Sequence, residues 1–181
     1  MRKVFVDLGA YDGDSIRHFM KRDDWKEFDI YAFEPNKKFH QQLVDLWLDC
    51  PNIVFLSADA AWIEDTQLEF AVDQADSPMG STLMPGKVEM WNKSLKQTVQ
   101  AFDFPTWLEQ FADDDYVIVK MDIEGAEFPI LLSMLNTGTI NYMNELWCEF
   151  HPNKVREYTT THKLELMDQI RKAGVELVEW H

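Results

Sequence analysis

The distribution of apolar residues along the chain predicts strands that alternate with helices. The predicted strands are the short apolar runs at residues 4–8, 29–33, 53–56, 116–121, 145–150 and 175–180. Between them, apolar residues recur with helical spacing from about Asp14, from Pro35, from Ala126 and around Leu164. This alternation is typical of βαβ units, in which helices cover both faces of a parallel sheet. We therefore predict a single Rossmann-like α/β domain over residues 1–181, with a mostly parallel sheet.

The pattern changes in the middle of the chain. Residues 67–72 and 98–102 alternate like strands, and Pro105 begins a short helix that extends to Phe111. Residues 74–92 are rich in Pro, Gly, Ser and Met and show no helical period. Long irregular segments in compact domains are often functional or mobile, so we expect this one to form a lid over a binding site.

Acidic residues follow most of the predicted strands. Ligands of open α/β sheets bind in the crevice outside the carboxyl ends of the strands, so these side chains should converge on one rim. The strand-end residues with polar chemistry are Asp7, Glu34, Asp59, Asp122, Glu124, Glu149 and His151.

The turn after the first strand is glycine-rich and acidic. Gly9 and Gly13 allow a sharp turn, but their spacing differs from the G-x-G-x-x-G of dinucleotide sites. Asp7, Asp12 and Asp14 would repel a pyrophosphate, whereas they suit a ligand with an amine and a sulfonium, such as S-adenosylmethionine. Alternatively, Asp12 and Asp14 only cap the following helix. The residues assigned to the cofactor in this segment are Asp7, Gly9, Ala10, Tyr11, Gly13 and Ser15.

Two later strand ends complete the predicted cofactor site. Glu34 follows the glycine turn at the distance expected for a carboxylate that accepts both ribose hydroxyls of a nucleoside. Asp59 could accept from the adenine amino group, with the backbone N–H of Ala60 facing a ring nitrogen. The alternatives are an exposed strand-end carboxylate for Glu34 and an ordinary turn residue for Asp59.

Three segments resemble the signatures of the FkbM-type methyltransferases. They are Val6-Asp7-Leu8-Gly9-Ala10-Tyr11-Asp12-Gly13, Phe33-Glu34-Pro35-Asn36 and Lys120-Met121-Asp122-Ile123-Glu124-Gly125-Ala126-Glu127. Asp59-Ala60-Ala61 and Gly80-Ser81-Thr82 fall where that family has an adenine-side turn and a serine-bearing loop, and Tyr11 stands where it often has Asn. The resemblance implies a class I methyltransferase fold, S-adenosylmethionine as cofactor, and methyl transfer to a hydroxyl oxygen of a sugar or small metabolite.

The acceptor side should be formed by His151, Asp122 and Glu124. His151 is a candidate general base because imidazole titrates near neutral pH, although it could instead cap the loop before Pro152. Asp122 and Glu124 could orient the methionine moiety or the acceptor. A divalent metal held by these three residues and Glu149 is an alternative, but no dedicated metal-ligand spacing is present, so we expect no metal.

Composition limits the partners. The net charge of −15 disfavours nucleic acid, and no apolar run approaches the roughly 18 residues of a membrane span. The chain enters its first strand without a leader segment and has two cysteines, so we expect a cytoplasmic protein, with homo-oligomers possible. Two other functions stay open: a nicotinamide-dependent oxidoreductase, and a non-catalytic binding or assembly subunit of the same fold.

Overall fold

A computed structural model of the chain describes residues 1–73 and 80–180, with the backbone alone for residues 88–90. Its strands are β1 Lys3–Leu8, β2 Phe28–Phe33, β3 Ile53–Ser57, β4 Ala60–Trp62, β5 Thr66–Val72, β6 Leu95–Asp103, β7 Tyr116–Met121, β8 Glu145–Cys148 and β9 Glu176–Glu179. Its α-helices are α1 Asp14–Phe19, α2 His40–Asp49, α3 Val88–Lys93, α4 Phe104–Leu108, α5 Glu127–Thr137 and α6 Thr160–Lys172.

The main sheet is entirely parallel and has the order β3-β2-β1-β7-β8-β9. Successive residues of its central strand β1 point to opposite faces, as strand geometry requires. Phe5 packs with Phe19 of α1 on one face, and Val4 and Val6 belong to the core that holds Leu131 of α5 on the other. The predicted α/β fold with helices on both faces is therefore confirmed.

A second, smaller sheet has the order β4-β6-β5 and lies next to the carboxyl ends of β2 and β3. β5 is antiparallel to β6 and β4 is parallel to it. The ring of Phe33 stacks on that of Phe102 at 4.6 Å and joins the two sheets. The sequence pattern missed β4, which has only three residues, and predicted β6 too short.

The segment after β5 is more regular than its composition suggests. Val88–Lys93 forms α3, so the expectation of an irregular segment over residues 74–92 is wrong there: six residues are too few to show a helical period. Ala71 and Thr82 exchange backbone hydrogen bonds of 2.9 and 3.0 Å, and Thr82 and Met84 are buried. Thr82 and Met84 are therefore packed in this structure, the lid stays a prediction, and residues 74–79 lie outside the described residues. None of the helices in the described ranges is long and apolar enough to cross a membrane.

Candidate active site

A cavity of about 650 Å³ opens at the carboxyl ends of the main sheet. This volume lies in the usual range for small-molecule sites. The predicted site residues that line it are Gly9, Tyr11, Ser15, Glu34, Asp59, Ala60, Asp122 and Glu124. The others, Asp7, Ala10, Gly13 and His151, are buried behind its wall. The cavity extends past Glu149 to Trp180, which follows β9.

Asp7 lies beneath the glycine turn rather than at the surface of the cavity. Its carboxylate is fully buried, forms an ion pair of 3.1 Å with Lys120 Nζ, and accepts a hydrogen bond from the Ser15 hydroxyl. Lys120 also donates to the carbonyl oxygen of Gly9 at 2.6 Å. The geometry gives Asp7 a structural task, which is to anchor the turn to β7 and α1.

The two glycines of the turn are required by different steric constraints. Both have left-handed φ angles, 82° at Gly9 and 93° at Gly13. A Cβ on Gly9 would lie 2.1 Å from the carbonyl oxygen of Asp122, so this glycine lets the turn touch the end of β7. A Cβ on Gly13 would meet the side chain of Leu46 at 2.6 Å, which is a packing constraint away from the cavity. Asp12 accepts from the backbone N–H of Asp14 at the start of α1, but the N-cap residue is Gly13 and has no side-chain cap hydrogen bond.

Glu34 connects the ends of β1 and β2. Its Oε2 accepts from the backbone N–H of Tyr11 at 2.9 Å, and its Oε1 accepts from that of Asn36 at 2.7 Å. Burial raises the pKa of Glu34 to about 7, although these hydrogen bonds and the charge of Lys120 oppose the shift. Each oxygen keeps lone-pair capacity toward the cavity, because a carboxylate oxygen accepts more than one hydrogen bond.

The rim near β3 is held by short polar contacts. The Ser57 hydroxyl donates to Asp59 at 2.9 Å and accepts from the Asp59 backbone N–H at 3.1 Å. Ala60 begins β4 and pairs with Ala101 of β6. Across the cavity opening, Asn36 donates to the hydroxyl of Ser81 at 3.4 Å.

The loop between β7 and α5 is strained and tightly held. Glu124 has φ 58° and Gly125 has φ 111°. The backbone N–H groups of Ile123 and Gly125 both donate to Glu127, at 2.9 and 2.8 Å. Thr82 donates to the Glu124 carbonyl oxygen at 2.8 Å. A left-handed glutamate persists only where its surroundings fix it, and such strain is frequent at functional sites.

His151 is surrounded by carboxylates. Its Nδ1 lies 3.0 Å from Glu127 Oε1, and its Nε2 lies 3.8, 3.7 and 3.5 Å from oxygens of Asp122, Glu124 and Glu149. Burial alone lowers the pKa of His151, but the hydrogen bond with Glu127 and the charges of Glu127 and Glu124 outweigh it and raise the pKa. Burial raises the pKa of Asp122 to about 6, against the opposing charges of Lys120 and His151.

Four residues of this site had no assigned role in the sequence analysis: Asn36, Ser81, Lys120 and Glu127. The buried ion pair of Lys120 could have been predicted from the sequence, because a lysine inside an apolar parallel strand needs a buried partner. Glu127 belongs to the recognised signature, but its hydrogen bonds depend on a left-handed loop that spacing does not reveal. The contact of Asn36 with Ser81 joins residues 45 positions apart, which no local pattern predicts.

Comparison with known proteins shows the family of the chain and supports its fold. The family model described as the methyltransferase FkbM domain matches residues 7–176. The chain belongs to the FkbM methyltransferase family. Its fold is similar to the crystal structure of methyltransferase FkbM from Methylobacillus flagellatus KT, with a TM-score of 0.57 and 16% sequence identity. That similarity covers 95% of this chain and 37% of the other, so the FkbM methyltransferase domain described here spans about a third of that protein. No curated protein matches the chain.

Proposed function

We propose that this FkbM-family domain is an S-adenosylmethionine-dependent methyltransferase that methylates a hydroxyl oxygen of a sugar or small metabolite. The observation that carries the proposal is Glu34, a buried carboxylate at the end of β2 that lines the cavity beside the glycine turn. Its two oxygens are already oriented by the N–H groups of Tyr11 and Asn36, so a ribose diol meets a fixed acceptor.

The remaining cofactor contacts follow from the order of the strands. Asp59 and Ala60 line the end of the cavity where adenine would lie, and Gly9 offers backbone without a Cβ beneath the methionine portion. The backbone of Asp122 lies beside Gly9, whereas its carboxylate faces His151 on the acceptor side of the cavity. S-adenosylmethionine supplies an electrophilic methyl group on its sulfonium.

The acceptor would occupy the part of the cavity between Asp122, Glu149 and Trp180. A hydroxyl oxygen attacks better as its proton leaves, and Asp122 and Glu124 are the members of the predicted catalytic set that line the cavity. His151 is only 2% exposed, so it acts on an acceptor through these carboxylates rather than as the first group in contact. The protein also positions the oxygen against the methyl group, which by itself contributes much of the rate.

The test supplies methyl-labelled S-adenosylmethionine and fractions of a metabolite or glycan extract to the purified protein. We expect label in a base-stable methyl ether, and no label with Glu34→Ala. Calorimetry provides the second arm, in which S-adenosylhomocysteine binds and NADH does not. Tighter binding of NADH than of S-adenosylhomocysteine would overturn the assignment, and cofactor binding without product from any fraction would favour a non-catalytic subunit.

Two further properties support a small-molecule reaction in a reducing compartment. Cys50 and Cys148 are both buried and free, as in proteins of the cytoplasm. The acidic surface, with a net charge of −15, opposes nucleic-acid acceptors. We accordingly propose a cytoplasmic enzyme with a small hydroxyl acceptor.

A further inference from the structure

The imidazole of His151 faces acceptors on both of its nitrogens. Glu127 accepts from the backbone N–H groups of Ile123 and Gly125, so it is held as an acceptor and Nδ1 of His151 is the donor in their 3.0 Å contact. In the neutral ring, Nε2 then presents a lone pair. It points toward oxygens of Asp122, Glu124 and Glu149, which are acceptors as well.

These contacts are longer than hydrogen bonds and lie within ion-pair distance. The three oxygens lie 3.5–3.8 Å from Nε2, beyond the usual limit of about 3.2 Å for a good hydrogen bond. Two ligand atoms at about 2.1 Å from one cation are about 3.0 Å apart at a right angle and about 3.4 Å apart at a tetrahedral angle. Small rotations of the aspartate and glutamate side chains would shorten the observed distances to those between two ligands of one cation.

The negative charges of the carboxylates around the His151 ring also favour the binding of a cation. Four carboxylates surround His151, yet the lysines within 4 Å of them in the described part of the chain, Lys87 and Lys154, both contact Oε2 of Glu124. Oε1 of Glu124 is left facing His151. Within 4 Å, His151 is the cationic partner that the described residues offer to Asp122, Glu127 and Glu149, and Lys120 acts on Asp122 from a greater distance.

We propose that Nε2 of His151 and the carboxylate of Asp122 bind a divalent cation of the Mn²⁺ type, with Glu149 and Glu124 as the further oxygen ligands. One ligand atom each of Asp122, Glu127 and His151 lies within 4.8 Å of the others, and Oε1 of Glu149 and Oε1 of Glu124 lie 3.5 and 3.7 Å from Nε2 of His151. Carboxylate ligands suit Mn²⁺, and imidazole is a common ligand of first-row divalent ions. A histidine that binds a metal through one ring nitrogen usually donates the N–H of the other nitrogen to a carboxylate, carbonyl oxygen or water, which fixes the ring orientation. Glu127 would have this role for His151, because it accepts from Nδ1. The spacing of these residues in sequence had suggested a metal-free site.

The cation would lie at the acceptor end of the cavity, because Asp122, Glu124 and Glu149 line it. Its role rests on the proposed function: a hydroxyl bound to the cation loses its proton more readily and is held against the methyl donor. The binding itself needs neither cofactor nor acceptor, so it is tested separately.

The direct test titrates the purified apo protein with Mn²⁺ and follows the bound ion by electron paramagnetic resonance. We expect one strong site per chain, and spin-echo modulation from one coordinated imidazole nitrogen. Asp122→Asn and His151→Phe should weaken Mn²⁺ binding at least tenfold, and Glu127→Gln by about 10–100-fold as an orienting residue. Glu64→Gln, at an exposed carboxylate away from the cluster, controls for general attraction to an acidic protein and should leave the strong site intact.

The folded state of each variant is checked by circular dichroism and thermal unfolding. A spectrum with oxygen ligands only, or equal Mn²⁺ affinity in the wild type and His151→Phe, would overturn the proposal. So would the absence of a strong site, together with nitrogen NMR shifts that show a proton on Nε2, because an imidazolium then satisfies the same carboxylates. If Mn²⁺ binds but no methyl transfer occurs, the cation site stands and the proposed function fails.

Discussion

The ammonium group of Lys120 donates a 2.6 Å hydrogen bond to the carbonyl oxygen of Gly9. The same group forms an ion pair with Asp7, and Lys120 is 2% exposed while Asp7 is fully buried. Lys120 is on β7 and Asp7 is on β1, two neighbouring strands at the centre of the sheet. The buried ion pair between Lys120 and Asp7 thus fixes the glycine turn to the carboxyl ends of β1 and β7.

Replacement of Lys120 by methionine should destabilise the protein strongly. The variant leaves the carboxylate of Asp7 buried without its cation, and breaking a buried pair in this way typically costs about 3–5 kcal/mol. Denaturant unfolding measures the loss. Lys172→Met, which removes an exposed partner of Asp168, is the control and should change the unfolding free energy little.

A double variant separates charge from packing. Lys120→Met with Asp7→Asn removes the unpaired charge and keeps a polar partner for Ser15, so it should recover part of the lost stability. If the double variant is no more stable than Lys120→Met, the destabilisation comes from packing and not from the orphaned carboxylate.

The sequence predicted the sheet and the rim better than the connections between them. Strands such as β1 and β7 are buried on both faces and therefore appear as continuous apolar runs, and acidic residues at their ends converge because the strands are parallel. By contrast, the role of Asp7 could not be predicted, since its partner Lys120 is distant in sequence. The left-handed φ of 52° at Tyr11 was equally hidden, because a tyrosine gives no local signal for that conformation.

The affinity for S-adenosylhomocysteine should rise with pH in a way that depends on Glu34. Ribose hydroxyls donate to the ionised carboxylate, and burial places the pKa of Glu34 at about 7. Binding is therefore weakest below this pH, increases as the pH rises through it, and levels off above it. Calorimetry between about pH 6 and 8 measures the effect, and Glu34→Gln should remove that component of the pH dependence. Equal pH profiles for the wild type and Glu34→Gln would show that this carboxylate does not contact the cofactor.

The same residue should affect the stability of the apo protein in the opposite sense. Unfolded Glu34 ionises near its ordinary pKa of 4.5, whereas the folded protein keeps the proton until about pH 7. The folded state binds more protons between these values, so the contribution of Glu34 to stability falls as the pH rises through that window. Unfolding of the wild type and Glu34→Gln at pH 5 and pH 7.5 measures it: the stability gap should shift in favour of the glutamine variant at the higher pH.

The segment around Thr82 should be protected from hydrogen exchange without any ligand. Its backbone hydrogen bonds with Ala71 and the burial of Thr82 and Met84 predict slow exchange of the Thr82 amide. Thr82→Val removes the hydrogen bond to the Glu124 carbonyl oxygen and should accelerate exchange there. Rapid exchange of Thr82 in the apo protein, slowed only when cofactor is added, would support a lid that closes on binding.

A methyl group added at Gly9 should disrupt the cofactor turn far more than one added at another left-handed glycine. Gly9 and Gly174 have similar φ angles, 82° and 91°, so alanine pays a similar conformational penalty of about 1–2 kcal/mol at either place. The surroundings differ: a Cβ at Gly9 would lie 2.1 Å from the Asp122 carbonyl oxygen, whereas a Cβ at Gly174 meets nothing within 4 Å. In Gly9→Ala, the turn must therefore move away from β7, which pulls the Gly9 carbonyl from Lys120 and the Tyr11 N–H from Glu34. We expect at least tenfold weaker S-adenosylhomocysteine binding in Gly9→Ala, and wild-type affinity with a modest loss of stability in Gly174→Ala. Equal cofactor affinities of the two variants would mean that the close approach of the turn to β7 does not shape the site.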